Sequence, residues 1–107
     1  MEALNIPFSY NWNNKLECNA FTTIRLYQPE KHKVDMPVDC VLKGALKCKG
    51  KIKKVKVFLL HEMTDYMAWL DTGYDKEEAT KIIQRMYSAV DFKTKQLAFI
   101  LIVKDKK

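Results

Sequence analysis

The sequence predicts an α+β fold in which strands come first, two helices follow and a last strand closes the sheet. Three observations support this prediction. Residues 51–60 alternate apolar and polar side chains at the period of a strand, and residues 75–86 repeat their apolar side chains at helical spacing. Residues 97–103 are uniformly apolar, which is typical of a strand in the middle of a sheet. This order of elements predicts a sheet with helices packed against it.

Three short strands are predicted in the first half of the chain. Pro7 lies within the first of them and suits the start of a strand or an edge strand. The second is rich in β-branched and aromatic residues, and a charged loop containing Pro29 separates it from the third. These strands are expected at residues 5–10, 21–26 and 38–42, with a turn or short helical piece at residues 12–16.

The longest strand is predicted at residues 51–60. Val55, Val57 and Leu59 are expected on one face and Lys54 and Lys56 on the other. In a regular strand Ile52 would lie on the face of Lys54 and Lys56, although it is apolar. An extra residue in the strand would restore the alternation, so we expect a β-bulge near Lys53 or Lys54.

Two helices are predicted at residues 63–71 and 75–86. Gly73 can end the first in a left-handed conformation, and Asp75 can cap the second with Glu78 three residues later. The apolar faces are expected to be Tyr66, Trp69 and Leu70 on the first helix and Ala79, Ile82, Ile83 and Met86 on the second.

Length and composition are those of one folded domain spanning residues 1–107. The chain has 107 residues, of which 48% are hydrophobic. A domain of this size needs large side chains to fill its interior, so we expect Tyr66 and Trp69 in the core. The first residues do not resemble a signal peptide, and no run approaches the ~18 apolar residues of a membrane helix. We therefore expect a cytoplasmic protein that does not bind membranes.

The cysteines and histidines do not predict a metal site. Cys18, Cys40 and Cys48 lack paired ligand spacing, and His32 and His61 lie far apart in the sequence. We expect no metal and no other cofactor. Cys40, in a predicted strand, is expected to be a small buried side chain and not a nucleophile.

Lysines are concentrated in residues 43–56 of a chain whose net charge is +6. The seven lysines of this segment are Lys43, Lys47, Lys49, Lys51, Lys53, Lys54 and Lys56. Such a cluster is typical of nucleic-acid-binding proteins, because it replaces the counterions of the phosphates. The alternative is a solvated hairpin whose lysines discourage aggregation between sheet edges. The two interpretations have about equal weight on the sequence.

Thr23 and Arg25 are the best candidates for a binding site. They lie two positions apart on a predicted strand and therefore share a face. Arginine offers a fixed fork of donors for a phosphate or a base edge, and threonine adds a hydroxyl. Tyr10 and Trp12 are flanked by asparagines, so we expect them to be partly exposed and able to stack on a base.

The segment from Cys18 to Arg25 resembles the signature of the ASCH family, G-x-K-x-x-[TE]-x-R. Thr23 and Arg25 match the signature, whereas Cys18 stands in place of its glycine and Ala20 in place of its lysine. The resemblance covers most of the chain. It implies a small PUA-like mixed β-barrel with two helices packed outside it.

The resemblance also implies a chemistry. Some ASCH proteins hydrolyse acetylcytidine with a lysine, a threonine and a glutamate. Here Thr23 matches the threonine, Ala20 replaces the lysine, and the acidic position falls near Asp71. Lys15 or a lysine of the basic segment can supply an amine, but nothing in the sequence places either one. Because alanine has no titratable group, the sequence favours binding over catalysis.

The leading interpretation is a small nucleic-acid-binding module that recognises RNA or a modified nucleotide in a cleft beside Thr23 and Arg25. Tyr10, Trp12 and Asp71 are the further candidate ligand contacts, and the lysines of residues 43–56 would attract the phosphates. One alternative is an amidohydrolase acting on an acylated nucleoside such as acetylcytidine. Another is a protein-interaction module, which would expose an apolar patch.

Overall fold

The computed structural model describes residues 3–8 and 11–105, with the side chains at positions 12 and 13 also left out. Within these residues the chain forms a five-stranded sheet and two α-helices, with two short 3₁₀ helices. The strands are β1 (Leu4–Phe8), β2 (Ala20–Leu26), β3 (Pro37–Leu42), β4 (Ala45–Phe58) and β5 (Leu97–Lys104). The helices are α1 (Asp65–Thr72) and α2 (Lys76–Met86), and the 3₁₀ helices span Trp12–Glu17 and Leu60–Glu62.

The sheet is mixed and curls into a half-barrel. Its strand order is β1-β3-β4-β5-β2, in which β1 and β3 are parallel and the other pairs are antiparallel. The predicted α+β class is confirmed, and β5 lies inside the sheet as its apolar sequence predicted. Because β1 and β2 are the two edge strands, the curl brings them towards each other. Arg25 of β2 bridges them by donating a hydrogen bond to the carbonyl of Pro7 in β1.

The hairpin of β3 and β4 is longer than the sequence predicted. β4 begins at Ala45 because Lys43 and Gly44 form a two-residue turn, with φ angles of 50° and 84°. Positive φ at both positions is the geometry that suits tight hairpins. The bulge is confirmed, since Ile52 pairs with Ile102 and Lys54 with Leu101, leaving Lys53 as the extra residue.

Two hydrophobic clusters lie on the two faces of the curled sheet. The inner cluster is built from alternate residues of all five strands together with Leu16. The outer cluster packs Ile24, Phe58 and Leu97 against the two helices. Successive side chains of a strand point to opposite faces, so one sheet supplies both clusters.

Both helix boundaries agree with the capping residues in the sequence. Gly73 follows α1 in the left-handed conformation, with φ of 83°. Asp75 precedes α2, and its side chain accepts a hydrogen bond from the backbone N–H of Glu78 at 3.0 Å. Neither helix in the described ranges is long and apolar enough to cross a membrane.

The prediction that Tyr66 and Trp69 belong to the core is wrong. Their exposed fractions are 66% and 53%, whereas Met67 and Ala68 are buried. The helix is rotated because its inward face also carries Asp71 and Thr72, both buried against the sheet. A polar pair on the buried face cannot be recognised from hydrophobic periodicity, and the most apolar stripe of α1 faces solvent.

Candidate functional site

A cavity of about 420 Å³ lies where the two edge strands approach each other below α2. This volume is within the range of small-molecule binding sites. Its polar lining comes from Lys15, Thr23, Arg25, Lys43, Asp71 and Thr72. Its apolar lining includes Ile82, Ile83 and Met86 of α2. The polar residues are called the polar wall of the cavity, and the α2 residues its apolar wall.

A buried ion pair lies at the centre of the polar wall. The amine nitrogen of Lys15 is 2.6 Å from Oδ1 of Asp71, and the two side chains are only 5% and 10% exposed. Lys15 also donates to the backbone carbonyl of Asp71 at 3.0 Å. Both partners thus have their charges compensated away from water, as buried charges require.

Asp71 also completes the hydrogen bonding of the sheet edge. Its Oδ1 accepts the backbone N–H of Ile24 at 3.2 Å. Since β2 is an edge strand, this N–H points away from the sheet and has no strand partner. The carboxylate thus ties the last turn of α1 to β2.

Lys15 reaches this position from the 3₁₀ helix between β1 and β2. Its neighbour Leu16 is completely buried in the inner core, and the Leu16 N–H donates to Oδ1 of Asn11 at 3.0 Å. These contacts anchor the helix beneath the sheet edge. The amine of Lys15 then lies 5.5 Å from the ring centre of Phe8, close enough for a cation–π contact.

Arg25 is held by β1 and not by an acidic side chain. Its Nη2 donates to the Pro7 carbonyl at 2.5 Å, and its guanidinium carbon lies 4.6 Å from the ring centre of Phe8. Its Nε is buried and has no hydrogen-bond partner in the described part of the chain. An unsatisfied buried donor costs about 1–3 kcal/mol, and more for a charged group. The described residues therefore leave this guanidinium incompletely bonded.

The cavity shifts the ionisation of its two inner cations. Burial lowers the pKa of Lys15, and the opposing effect of the Asp71 carboxylate does not cancel it. Burial likewise lowers the pKa of Arg25, which stays charged at neutral pH. Lys15 is therefore nearer to a neutral amine than an exposed lysine is.

Thr23 brings a hydroxyl into the same cavity. The residue is 3% exposed and lies between Ile24 and Thr22 on β2. Ala20, which stands where the ASCH signature has its lysine, is an exposed residue at the start of β2. An amine and a carboxylate do line the same cavity as Thr23, and they are those of Lys15 and Asp71.

The lysines of residues 43–56 differ in their ion pairing. Lys47, Lys49 and Lys53 make ion pairs with Glu17, Asp39 and Asp35 at 2.6, 3.1 and 3.7 Å. Lys51, Lys54 and Lys56 are exposed and pair with no carboxylate in the described ranges. Of the seven, Lys43 is the one that lines the cavity.

Two of the predicted site residues cannot be placed. Tyr10 lies outside the described residues, and so does the side chain of Trp12. A stacking role for them stays a prediction. The aromatic side chains that do line the cavity are Phe8 and Tyr87.

Several cavity residues are not assigned to a site by the sequence. The sequence names Lys15 only as one possible source of an amine and does not place it near Thr23. The helical spacing of α2 predicts only that its apolar face packs in the core. The sequence context of Lys15, between Asn14 and Leu16, gives no signal that its side chain is buried. Its partner Asp71 is 56 residues away, so no local pattern connects the two.

A larger open groove of about 940 Å³ lies between α2 and residues 87–93. It carries charges of both signs, from Lys76, Lys81 and Lys93 and from Glu77 and Asp91, and these side chains are exposed. Exposed charges are screened by water and order a ligand weakly. The smaller cavity, with its buried charges, is the better candidate site. No group of three or more potential metal ligands is found among residues 3–8 and 11–105.

The fold and the cavity define a small α+β protein with a curled mixed sheet and a charged, ligand-sized site between its edge strands. Neither a protein-family model, nor a curated protein, nor a solved structure matches this chain.

Proposed function

We propose that this protein is a PUA-like module of the ASCH type that binds a base of RNA or of a modified nucleotide in the cavity beside Thr23 and Arg25. One observation carries the proposal: the cavity combines an apolar wall from α2 with a wall of hydrogen-bonding groups. A nucleobase combines flat apolar faces with a polar edge. The volume of about 420 Å³ is compatible with a ligand of that size.

The polar wall offers both donors and acceptors to a base edge. Arg25 provides N–H donors, and the Thr23 hydroxyl can donate or accept. The Asp71 carboxylate accepts from Lys15 and from Ile24, and a carboxylate has further acceptor sites. These groups are held by buried contacts, so a ligand would meet a site that is already ordered.

The exposed lysines of β4 support an RNA ligand in a different way. Lys51, Lys54 and Lys56 make no ion pair with the described carboxylates, so their charges are available to phosphates. Such contacts add affinity without sequence information. Base recognition would then come from the cavity and polyanion affinity from β4.

Fluorescence polarisation of labelled single-stranded RNA, duplex RNA and DNA at two salt concentrations tests this proposal. Arg25→Ala should abolish the preference among these ligands, because it removes the donors of the polar wall. The matched control is Arg85→Ala, which removes the same charge from an exposed position on α2. Equal losses in the two variants would indicate a general charge effect and no base recognition by Arg25.

A second candidate function is the hydrolysis of an acylated nucleoside such as acetylcytidine. The observation that favours it is that a hydroxyl, an amine and a carboxylate line one cavity, from Thr23, Lys15 and Asp71. In such a reaction the Thr23 hydroxyl attacks the acyl carbon while the Lys15 amine, after losing its own proton, takes the proton of the hydroxyl. Lys15 then returns the proton to the leaving amine, and water releases the acyl group from Thr23. The lowered pKa of Lys15 favours this role.

Mass spectrometry of acetylcytidine incubated with the protein tests the second candidate. Thr23→Val and Lys15→Met should each abolish deacetylation. Thr22→Val is the matched control, because Thr22 is the neighbouring threonine and its buried hydroxyl has no hydrogen-bond partner among the described residues. Absence of turnover by the unaltered protein at high concentration would exclude this substrate and leave the binding function.

A further inference from the structure

The charges that line the cavity do not balance. Among the described residues, its lining contains the three cations Lys15, Arg25 and Lys43 and one carboxylate, that of Asp71. Asp71 is already engaged by Lys15 at 2.6 Å. No described carboxylate lies within ion-pair distance of Arg25 or Lys43. The cavity thus has a surplus of positive charge.

Arg25 carries one of the two positive charges that have no acidic partner among the described residues. One N–H of its guanidinium bonds to the Pro7 carbonyl, and its face lies on the Phe8 ring. These contacts fix the plane of the fork without neutralising it. A fixed guanidinium with donors to spare is the arrangement that binds two oxygens of an anion. The buried, unpartnered Nε shows that the described part of the fold by itself leaves the group incompletely bonded.

Lys43 carries the second of these positive charges, at the rim of the cavity. It is the first residue of the tight turn between β3 and β4, with φ of 50°, and its backbone N–H donates to the Phe8 carbonyl at 3.0 Å. This bond holds the turn against the end of β1, beside the ring on which Arg25 lies. The lysine side chain is therefore at the rim of the cavity that contains Arg25.

We infer that the cavity binds a phosphate monoester through Arg25 and Lys43, so that its ligand is a nucleoside monophosphate, free or at the end of an RNA, and not a neutral nucleoside. This inference rests on the proposed function. The phosphate supplies the negative charge that Asp71 cannot, and the nucleoside part occupies the space between α2 and the polar wall. Phosphate is suited to this pair because it accepts a forked guanidinium and an ammonium at once.

Calorimetric titration of the full chain with four nucleosides and their 5′-monophosphates tests the inference. We expect at least one monophosphate to bind about tenfold more tightly than its nucleoside, as charge-assisted contacts allow. Lys43→Gln should remove most of that difference without changing nucleoside affinity. Lys95→Gln, which removes an exposed lysine outside the cavity lining, should change neither affinity. Arg25→Lys keeps the charge but loses the fork, and should also weaken monophosphate binding.

Further binding measurements identify the source of the phosphate and distinguish the ways in which the inference can fail. Short RNA with and without a 5′-phosphate distinguishes a terminal nucleotide from a free one. Equal binding of nucleosides and monophosphates would overturn the inference and leave the proposed function intact. Inorganic phosphate binding as tightly as any monophosphate would overturn the assignment of a nucleotide. Absence of binding by every nucleoside-containing compound would overturn both.

Discussion

Lys15 and Asp71 form a buried ion pair of 2.6 Å across 56 residues of sequence. The pair joins the 3₁₀ helix after β1 to the last turn of α1, and Asp71 extends the connection to the backbone of Ile24 in β2. These contacts add to the Arg25 side chain, which bridges the two edge strands by donating to the Pro7 carbonyl. The same residues stabilise the fold and form the polar wall of the cavity.

The first prediction concerns the energetics of this pair. Asp71→Asn should lower the free energy of unfolding by about 3–5 kcal/mol, because it leaves the Lys15 ammonium buried without its partner. Lys15→Met alone should also destabilise the protein. The double variant should lose less than the sum of the two, by at least about 1 kcal/mol, since neither charge is then left unpaired. Urea unfolding of the four proteins measures the coupling, and additive losses would contradict the pairing.

The second prediction concerns pH and Cys40, which is fully buried. Burial, with a smaller effect of Cys48, raises the pKa of the Cys40 thiol to about 12. The unfolded thiol has a pKa of about 8.5, so between these values the unfolded state loses its proton and the folded state does not. The free energy of unfolding should therefore fall as pH rises above about 8.5, by up to ~1.4 kcal/mol per pH unit.

Urea unfolding at neutral and alkaline pH measures this effect. Cys40→Ala should remove the part of the alkaline loss that comes from this thiol. Cys18→Ala is the matched control, because Cys18 is exposed, and it should keep the full pH dependence. An unchanged dependence in Cys40→Ala would show that the alkaline loss has another origin.

The third prediction concerns the orientation of α1. Trp69→Ala should change the free energy of unfolding by less than about 1 kcal/mol, because the side chain is more than half exposed. Met67→Ala, on the buried face, should cost about 2–5 kcal/mol. The reverse order would mean that Trp69 is in the core. Partner capture that depends on Tyr66 and Trp69 would support the alternative of a protein-interaction module, which stays a prediction.

The fourth prediction separates the lysines that are free of ion pairs among the described residues from those that are paired. Replacing Lys51, Lys54 and Lys56 by glutamine should lower the salt dependence of RNA binding, by about 0.7 in the logarithmic slope for each phosphate that is no longer neutralised. The matched control replaces Lys47, Lys49 and Lys53, which are paired with acidic residues. Equal effects of the two triple replacements would contradict a specific role of Lys51, Lys54 and Lys56. An unchanged slope in both would mean that β4 does not bind RNA.

Local features of the fold could be predicted from the sequence because their causes are local. The bulge at Lys53 follows from the parity of Ile52, and the ends of α1 and α2 follow from Gly73 and Asp75. The central position of β5 follows from its continuous apolar run. Each of these depends on residues a few positions apart, whose geometry the strand or helix period dictates.

Part of the candidate site can also be predicted from the sequence. Thr23 and Arg25 share a strand face by their spacing, and both line the cavity. Asp71 is also a candidate acidic residue on the sequence, and the Asp71 carboxylate lines that cavity. The amine cannot be predicted in the same way, because Ala20 occupies the expected position and Lys15 comes from a separate 3₁₀ helix.

How these pieces meet depends on the tertiary structure. The tertiary structure turns Asp71 and Thr72 of α1 towards the sheet and leaves Trp69 in solvent. It also gives the lysines of residues 43–56 three different environments: some form ion pairs, some are exposed without a described carboxylate partner, and one lies at the rim of the cavity. Hydrophobic periodicity records which side of an element is apolar, but it carries no information about a polar partner from a distant segment. The sequence therefore dictates the elements and the strand face of the site. The closing of the curled sheet brings Lys15, Arg25 and Asp71 together, because that proximity exists only after the two edge strands approach.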